Sequence, residues 1–398
     1  MKRVLLVLAV ALTAVFNGWS AAAAGKVAAA GKPDVEKIRQ ELRAVMDAHA
    51  VTAMSVAVVR GDSIVYLDAL GLRSREEHAP AALTDIFRIA SISKSFTGVG
   101  IMQLVEAGRF SLDDDVSPLI GFTVRNPRFP ERPITVRMLL SHTSSVYDNP
   151  EVDHRRSFDG TIIPGTAPED TIRACYATYA PGARYQYSNR SINLAGAIIE
   201  KVTGERFDDY VLNHILRPLE IAPASFNVDS LDASRFTAIY ANRKGRLALQ
   251  PTSYRRSRLM DDYRLGVDTP GLGPAGGMKL TIRGLAEWML TLKRGGVGTN
   301  GVRVLSEEGV EEMFRKATPE RSKINYGLTV VTSTKLLGIP MRGHNGSVNG
   351  LKSVMMFSPE EDFGIAVVCS STDNVKNEHG ALSAYADAAE ILYEELIR

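Results

Sequence analysis

The sequence predicts an α/β (α+β) fold: one antiparallel sheet built from both chain ends, flanked by helices and carrying a large α-helical insertion. Three observations predict it. Two β-branched runs, Val51 to Val59 and Ile64 to Leu70, stand near the start. Three more, Met341 to Ser347, Lys352 to Phe357 and Phe363 to Ser370, stand near the end. Between them the apolar residues recur at helical spacing. Strands at both ends with helices between them are satisfied by one shared sheet.

The elements follow in order. Asp34 stands where it would cap a helix with Val35, Ile38, Leu42, Val45 and Met46 on one face. Gly61-Asp62 makes the turn between the first two strands. The first strand is apolar on both faces, Met54, Val56 and Val58 on one and Ala53, Ala57 and Val59 on the other. Such a strand is covered from both sides, so helices should flank the sheet. Thr97 to Ala107 continues a helix begun near Ser91, and Val136 to Leu140 makes a short one. Ile192, Ala195, Ile199 and Val202 mark the next, ended by Gly204. Phe207, Tyr210, Val211 and Ile215 mark another, stopped before Pro218. Ile221 to Gly273 reads as irregular. Thr281 to Arg294 is helical and closes at Gly295-Gly296. A C-terminal helix carries Leu382, Tyr385, Ala389, Leu392 and Leu396. The expected domain spans residues 34–398, its sheet part about 34–90 and 275–398, its helical part about 91–274.

Residues 1–24 read as a signal peptide. Lys2 and Arg3 give a positive start, Val4 to Phe16 is apolar apart from Thr13, and Ala22-Ala23-Ala24 offers cleavage before Gly25. Residues 25–33 read as a linker. The expectation is an exported protein, periplasmic or secreted, with no stable membrane span after signal removal. Without Lys2 and Arg3 the formal charge of +2 falls to 0, which gives no electrostatic reason to expect nucleic acid. Hydrophobic residues at 45% and charged residues at 23% exclude a disordered or collagen-like chain. Cys175 and Cys369 are the only cysteines. Two are too few for a disulfide framework, and the favoured reading is two separate buried thiols.

Three short segments carry chemistry. Ser91-Ile92-Ser93-Lys94 puts a serine and a lysine three residues apart, on one face of a helix. A helix N-terminus and burial both lower a lysine pKa, and the same helix start presents N–H groups to an oxyanion. Tyr187-Ser188-Asn189 offers a phenol as proton shuttle and an amide as positioner. His344-Asn345-Gly346-Ser347 lies on a late strand, where a glycine marks close approach of a ligand or another backbone. The N–H of Ser347 could join that of Ser91 as an oxyanion pair. Competing patterns fail on context. Gly271 to Gly276 fits a dinucleotide fingerprint, but no strand precedes it and Pro274 sits inside it. The histidines show no metal-ligand spacing, so neither metal nor cofactor is implied. His142 and Asp148 could complete a triad with Ser91, but Lys94 and Tyr187 already supply the base.

Taken together the segments resemble the serine β-lactamase and penicillin-binding-protein superfamily, in its class C-like branch. That branch holds class C β-lactamases, D-alanyl-D-alanine carboxypeptidases, D-aminopeptidases and family VIII esterases. Phe87 to Lys94 resembles its nucleophile motif, and Leu139 to Ser144, Pro181-Gly182 with Tyr187 to Asn189, and Pro274 to Gly277 resemble further segments. The resemblance implies an acylated nucleophile at Ser91, Lys94 as its hydrogen-bonded partner, and Tyr187 as general base and later acid. It implies substrate binding by Asn189, His344, Asn345, Gly346 and Ser347. His344 stands where class C β-lactamases usually have lysine. That moves the expectation toward a D-alanyl peptide or a small carboxylic ester, with β-lactam hydrolysis or a silent binding role as alternatives. The implied partner is a small-molecule or peptide substrate. The choice between Lys94 and Tyr187 as acylation base, and the oligomeric state, stay open.

Overall fold

The computed structural model describes residues 33–243, 246–250, 262–371 and 374–398. The expected signal peptide and nearly all of the linker lie outside the described residues. The strands are β1 (Ala53–Arg60), β2 (Ser63–Ser74), β3 (Ala79–Pro80), β4 (Phe87–Arg88), β5 (Ala224–Ser225), β6 (Tyr240–Arg243), β7 (Arg246–Leu249), β8 (Lys279–Leu280), β9 (Asn325–Tyr326), β10 (Val331–Ser333), β11 (Met341–Val348), β12 (Leu351–Ser358) and β13 (Phe363–Cys369). The helices are α1 (Val35–Ala48), α2 (Lys94–Glu106), α3 (Val116–Ile120), α4 (Val136–Leu140), α5 (Glu169–Ala174), α6 (Asn189–Thr203), α7 (Phe207–Val211), α8 (Ile282–Lys293), α9 (Glu307–Phe314) and α10 (Ser383–Leu396).

The main sheet has eight antiparallel strands in the order β3-β2-β1-β13-β12-β11-β10-β9. The first and last strands of the chain are direct neighbours at its centre: Met54 faces Cys369 and Ala57 faces Ala366. Both faces are covered. Met54, Val56 and Val58 join one core with Ile38 and Leu42 of α1 and Tyr385, Ala389 and Leu392 of α10. Ala53, Ala57 and Val59 join the other with Leu285, Trp288 and Met289 of α8 and the helices of the insertion. Cys369 belongs to the first core and Cys175 to the second, so they remain separate thiols.

Two expectations shift. The stretch from Ile221 to Gly273, expected to be irregular, carries β5 and the β6–β7 hairpin among its described residues. The helix expected from Ser91 starts instead as a 3₁₀ turn over Ala90–Ser93, and the α-helix begins at Lys94. Among the described residues no helix is long and apolar enough to cross a membrane.

Candidate active site

The turn that carries Ser91 is assembled from three directions. Strand β4 pairs with β8, Arg88 facing Lys279, which brings the chain to Ile89. Ala90 then adopts φ +50°, a left-handed conformation that residues with a Cβ rarely take. It bends the backbone sharply into the 3₁₀ turn. The buried Ser93 hydroxyl locks that bend, donating to Ala90 O at 2.6 Å and accepting from Met278 N–H at 3.0 Å. Behind it, Trp288 of α8 stacks on Phe96 with centroids 4.0 Å apart and donates from Nε1 to Ser95 Oγ at 2.9 Å. The turn is thereby fastened to the sheet layer. Ser91 is left half-buried at its tip.

Lys94 is fully buried. Its Nζ lies 3.1 Å from Ser91 Oγ, 2.8 Å from Asn189 Oδ1 and 2.5 Å from Ala275 O. Burial holds its ammonium down to about 7; Asp148 pulls back upward and the nearby Arg88 pushes down. The segment Pro274 to Gly277 serves as a backbone clamp. Ala275 O accepts from Lys94, Pro274 O accepts from Thr97 at 2.9 Å, and Ala275 N–H donates to Asn193 of α6 at 3.2 Å.

Asn189 opens α6 and is held by Asp148. The Asp148 carboxylate accepts from the Asn189 backbone N–H at 2.6 Å, its Nδ2 at 3.1 Å, the Arg190 N–H at 2.9 Å and the Ser188 hydroxyl at 3.1 Å. A carboxylate at a helix N-terminus satisfies N–H groups that have no partner within the helix. These bonds also fix the Asn189 amide, so that its oxygen faces Lys94. His142 and Asp148 do not form a pair: the His142 nitrogens face Ser188 N–H at 3.2 Å and the Tyr326 hydroxyl at 3.2 Å. The imagined triad is absent from this arrangement.

Tyr187 hydrogen-bonds with Ser91, and its ring lies under the Lys94 ammonium at 4.8 Å to the centroid. A neighbouring ammonium favours a phenolate. In the structure burial prevails and pushes the Tyr187 hydroxyl well above the usual phenol range.

Strand β11 closes the other wall. A Cβ on Gly346 would lie 2.5 Å from Ile89 O, 2.3 Å from Ser353 Oγ and 3.0 Å from Ala90 Cβ. The strand therefore lies directly against the Ser91 turn, the close backbone approach expected of this glycine. Gly346→Ala is expected to destabilise the fold by about 1–3 kcal/mol through overpacking. It should also lower kcat by up to about 10²-fold as β11 is pushed off the turn; thermal unfolding and steady-state kinetics check both. His344 shares the buried face with Gly346, while Asn345 and Ser347 alternate onto the exposed one.

The walls enclose a cleft of about 820 Å³ whose lining includes Ser91, Tyr187, His344, Asn345 and Ser347. The structure thus gathers Ser91, Lys94, Tyr187, Asn189 and the β11 residues in one place. It adds Tyr326, whose hydroxyl lies 2.9 Å from His344 Nε2, and the clamping oxygen of Ala275. Tyr326 sits in a two-residue strand, too short to show any periodicity. A backbone carbonyl leaves no trace in residue type.

A helix-covered antiparallel sheet, with a serine–lysine pair lodged between its β11 side and a helical insertion, is the architecture of the serine β-lactamase and penicillin-binding-protein superfamily. Residues 38–390 match the family model described as Beta-lactamase, and the chain belongs to that family. It is similar to Protein flp of Staphylococcus aureus (strain N315), 28% identical over 179 residues, 44% of this chain and 35% of that protein. It is also similar to Esterase EstB of Burkholderia gladioli, 28% identical over 213 residues, 50% of this chain and 52% of that one. The chain therefore spans between a third and about half of the length of these relatives. Among solved structures, the octameric penicillin-binding protein homologue from Pyrococcus abyssi superposes with a TM-score of 0.70 at 27% identity, over 91% of this chain and 77% of that one. The D-amino acid amidase from Ochrobactrum anthropi SV3 shares the fold, with a TM-score of 0.66 at 20% identity over 90% and 99% of the two chains.

Proposed function

We propose that this protein is an exported serine hydrolase that cleaves an amide or ester through an acyl-enzyme on Ser91. One observation carries the reading. Two of the three Lys94 contacts, Asn189 Oδ1 and Ala275 O, are carbonyl oxygens that only accept. They take two N–H bonds of a neutral amine and leave its lone pair aimed at Ser91 Oγ, 3.1 Å away. A lysine held near 7 supplies that neutral form at neutral pH.

Ser91 Oγ bonds to the substrate carbonyl carbon, and its proton passes to Lys94 Nζ. The oxyanion is received by the N–H groups of Ser91 and Ser347. Tyr187, protonated at rest, gives its proton to the leaving amine or alcohol as the bond to carbon breaks, and recovers one from Lys94. Water then adds to the acyl carbon, losing a proton to Lys94, and Lys94 returns that proton to Ser91 Oγ as its bond to carbon breaks and the acid is released.

The proposed substrates are a D-alanyl peptide or a small carboxylic ester. The class C-like resemblance supports both, and the esterase among the relatives supports the second. The test is a panel of p-nitrophenyl esters, D-alanyl dipeptides and nitrocefin, with mass spectrometry for an acyl adduct. Turnover of esters or dipeptides with an adduct on Ser91 is expected. No turnover and no adduct would favour a silent binding member of the fold. Export rests on Lys2, Arg3, the apolar run and Ala22 to Ala24. N-terminal sequencing of the secreted protein should begin at Gly25; a start at Met1 overturns it.

A further inference from the structure

Three buried side chains beside the nucleophile form a hydrogen-bonded chain that the acyl-transfer steps do not use. His142, Tyr326 and His344 are 1%, 3% and 4% exposed. Both ends of the chain are set by backbone groups with only one role. Ser188 N–H can only donate, so His142 Nδ1 accepts at 3.2 Å and His142 carries its proton on Nε2. That N–H faces the Tyr326 oxygen at 3.2 Å. At the other end, Asn345 O can only accept, so His344 carries its proton on Nδ1, 2.5 Å away. His344 Nε2 is left as a lone pair, and it takes the Tyr326 O–H at 2.9 Å. Read in order, every link has one donor and one acceptor: Ser188 N–H, His142, Tyr326, His344, Asn345 O.

The arrangement has a consequence for the cleft. Both His344 nitrogens are occupied inside the protein, so the ring offers substrate neither an N–H nor a positive charge. A proton added at Nε2 would confront the Tyr326 hydroxyl, which would then have to turn its own proton against His142 Nε2–H. The chain accepts no extra proton without breaking. Burial and the Lys94 ammonium act in the same direction, holding His344 down to about 3. The titratable groups around it are Lys94 of α2, Tyr187 before α6, His142 after α4 and Tyr326 of β9. Of the nearby cations, Lys94 is engaged on Asn189 and Ala275 and Lys352 on Ser347 and Asn374, while Lys323, Lys335 and Lys376 also line the cleft.

We propose that Tyr326 is a specificity-determining residue: by holding His344 as the neutral Nδ1–H tautomer, it makes this side of the cleft a seat for an uncharged substrate group. The assignment rests on the acyl-enzyme reading of Ser91 and narrows it toward esters and amides that carry no carboxylate at the His344 position. Tyr326 acts through His344 and not on the reacting atoms.

Two measurements test it. In ¹⁵N-labelled wild type, long-range ¹H–¹⁵N spectra should show His344 as Nδ1–H and His142 as Nε2–H, both uncharged at about pH 5.5. A cationic His344, or the opposite tautomer, overturns the proposal whether or not the protein turns over substrate. Kinetics then compare p-nitrophenyl butyrate with mono-p-nitrophenyl succinate. Tyr326→Phe releases His344 Nε2, and at about pH 5.5 it should shift kcat/KM toward the succinate by about 5-fold or more, mainly through KM. An unchanged ratio and pH profile would make Tyr326 merely structural. A fluorophosphonate adduct on Ser91 in both proteins separates the two failures: without it the acyl-enzyme reading is lost, with it only the role of Tyr326.

Discussion

Ser91→Ala should lower turnover of any substrate in the panel by about 10⁴-fold or more and abolish the covalent adduct with fluorophosphonate or penicillin. The size of the effect follows from chemistry. In the proposed acyl transfer the serine oxygen forms the new bond to carbon, and no neighbour replaces it. Lys94 Nζ is held by two carbonyl oxygens behind Ser91, and burial keeps the Tyr187 hydroxyl protonated at rest. The variant should fold normally, because Ser91 is half-buried and its hydroxyl contacts are with Lys94 and Tyr187. The turn is held by Ser93, not Ser91, through the bonds to Ala90 O and Met278 N–H. Circular dichroism and thermal unfolding should therefore superpose on wild type while intact-protein mass spectra differ. An adduct that survives in Ser91→Ala would place the nucleophile elsewhere and sink the assignment.

The sequence carries the sheet because its strands are buried on both faces. Met54, Val56 and Val58 alternate with Ala53, Ala57 and Val59, and the structure divides those sets between two cores. The strand ladder itself has no local signature. That Met54 should face Cys369, more than three hundred residues away, follows only from both runs needing cover on both sides. Short elements escape for the same reason in reverse. The two-residue strands β3, β4, β5, β8 and β9 have no period, yet β4 and β8 aim the Ser91 turn.

The site shows a similar division. Ser91, Lys94 and Asn189 are legible because helix geometry puts Ser and Lys on one face and a Ser-Asn pair before a helix marks its start. The 3₁₀ start at Ala90 is not legible, since nothing in an alanine announces φ +50°. Asp148 is legible as an acid and misleading as a triad member. Its partners are the N–H groups at the start of α6, which no side-chain pattern reveals. Tyr187 shows where the balance of two effects cannot be read in advance. A neighbouring cation favours phenolate and burial opposes it, and only coordinates reveal that the ring is buried deeply enough for burial to prevail.

Lys94 carries a pH signature of its own. Lys94→Met should lower kcat by about 10²–10⁴-fold, the span of a lost general base, while leaving the nucleophile in place. In wild type, kcat/KM should rise with pH through about 7, as Lys94 loses its proton and becomes competent to take that of Ser91. Stability should carry the same group with a defined sign. The folded value, about 7, lies below the ordinary lysine value of 10.5. Between the two, the unfolded chain binds more protons than the folded one, so stability rises with pH across that window. Below about 7 both states are protonated and the full cost of the buried charge is present, with a ceiling of about 5 kcal/mol. Lys279, also buried and held down to about 7, contributes a slope of the same sign. Wild type should therefore show two lysines' worth of rising stability from about pH 7 to 10, and Lys94→Met close to half of it. The difference between the two denaturation curves isolates Lys94, because everything else that titrates is common to both. Parallel curves, with a kcat/KM profile that stays flat through about 7, would mean that Lys94 keeps its proton in the folded protein. Tyr187 would then have to take the first proton of the reaction.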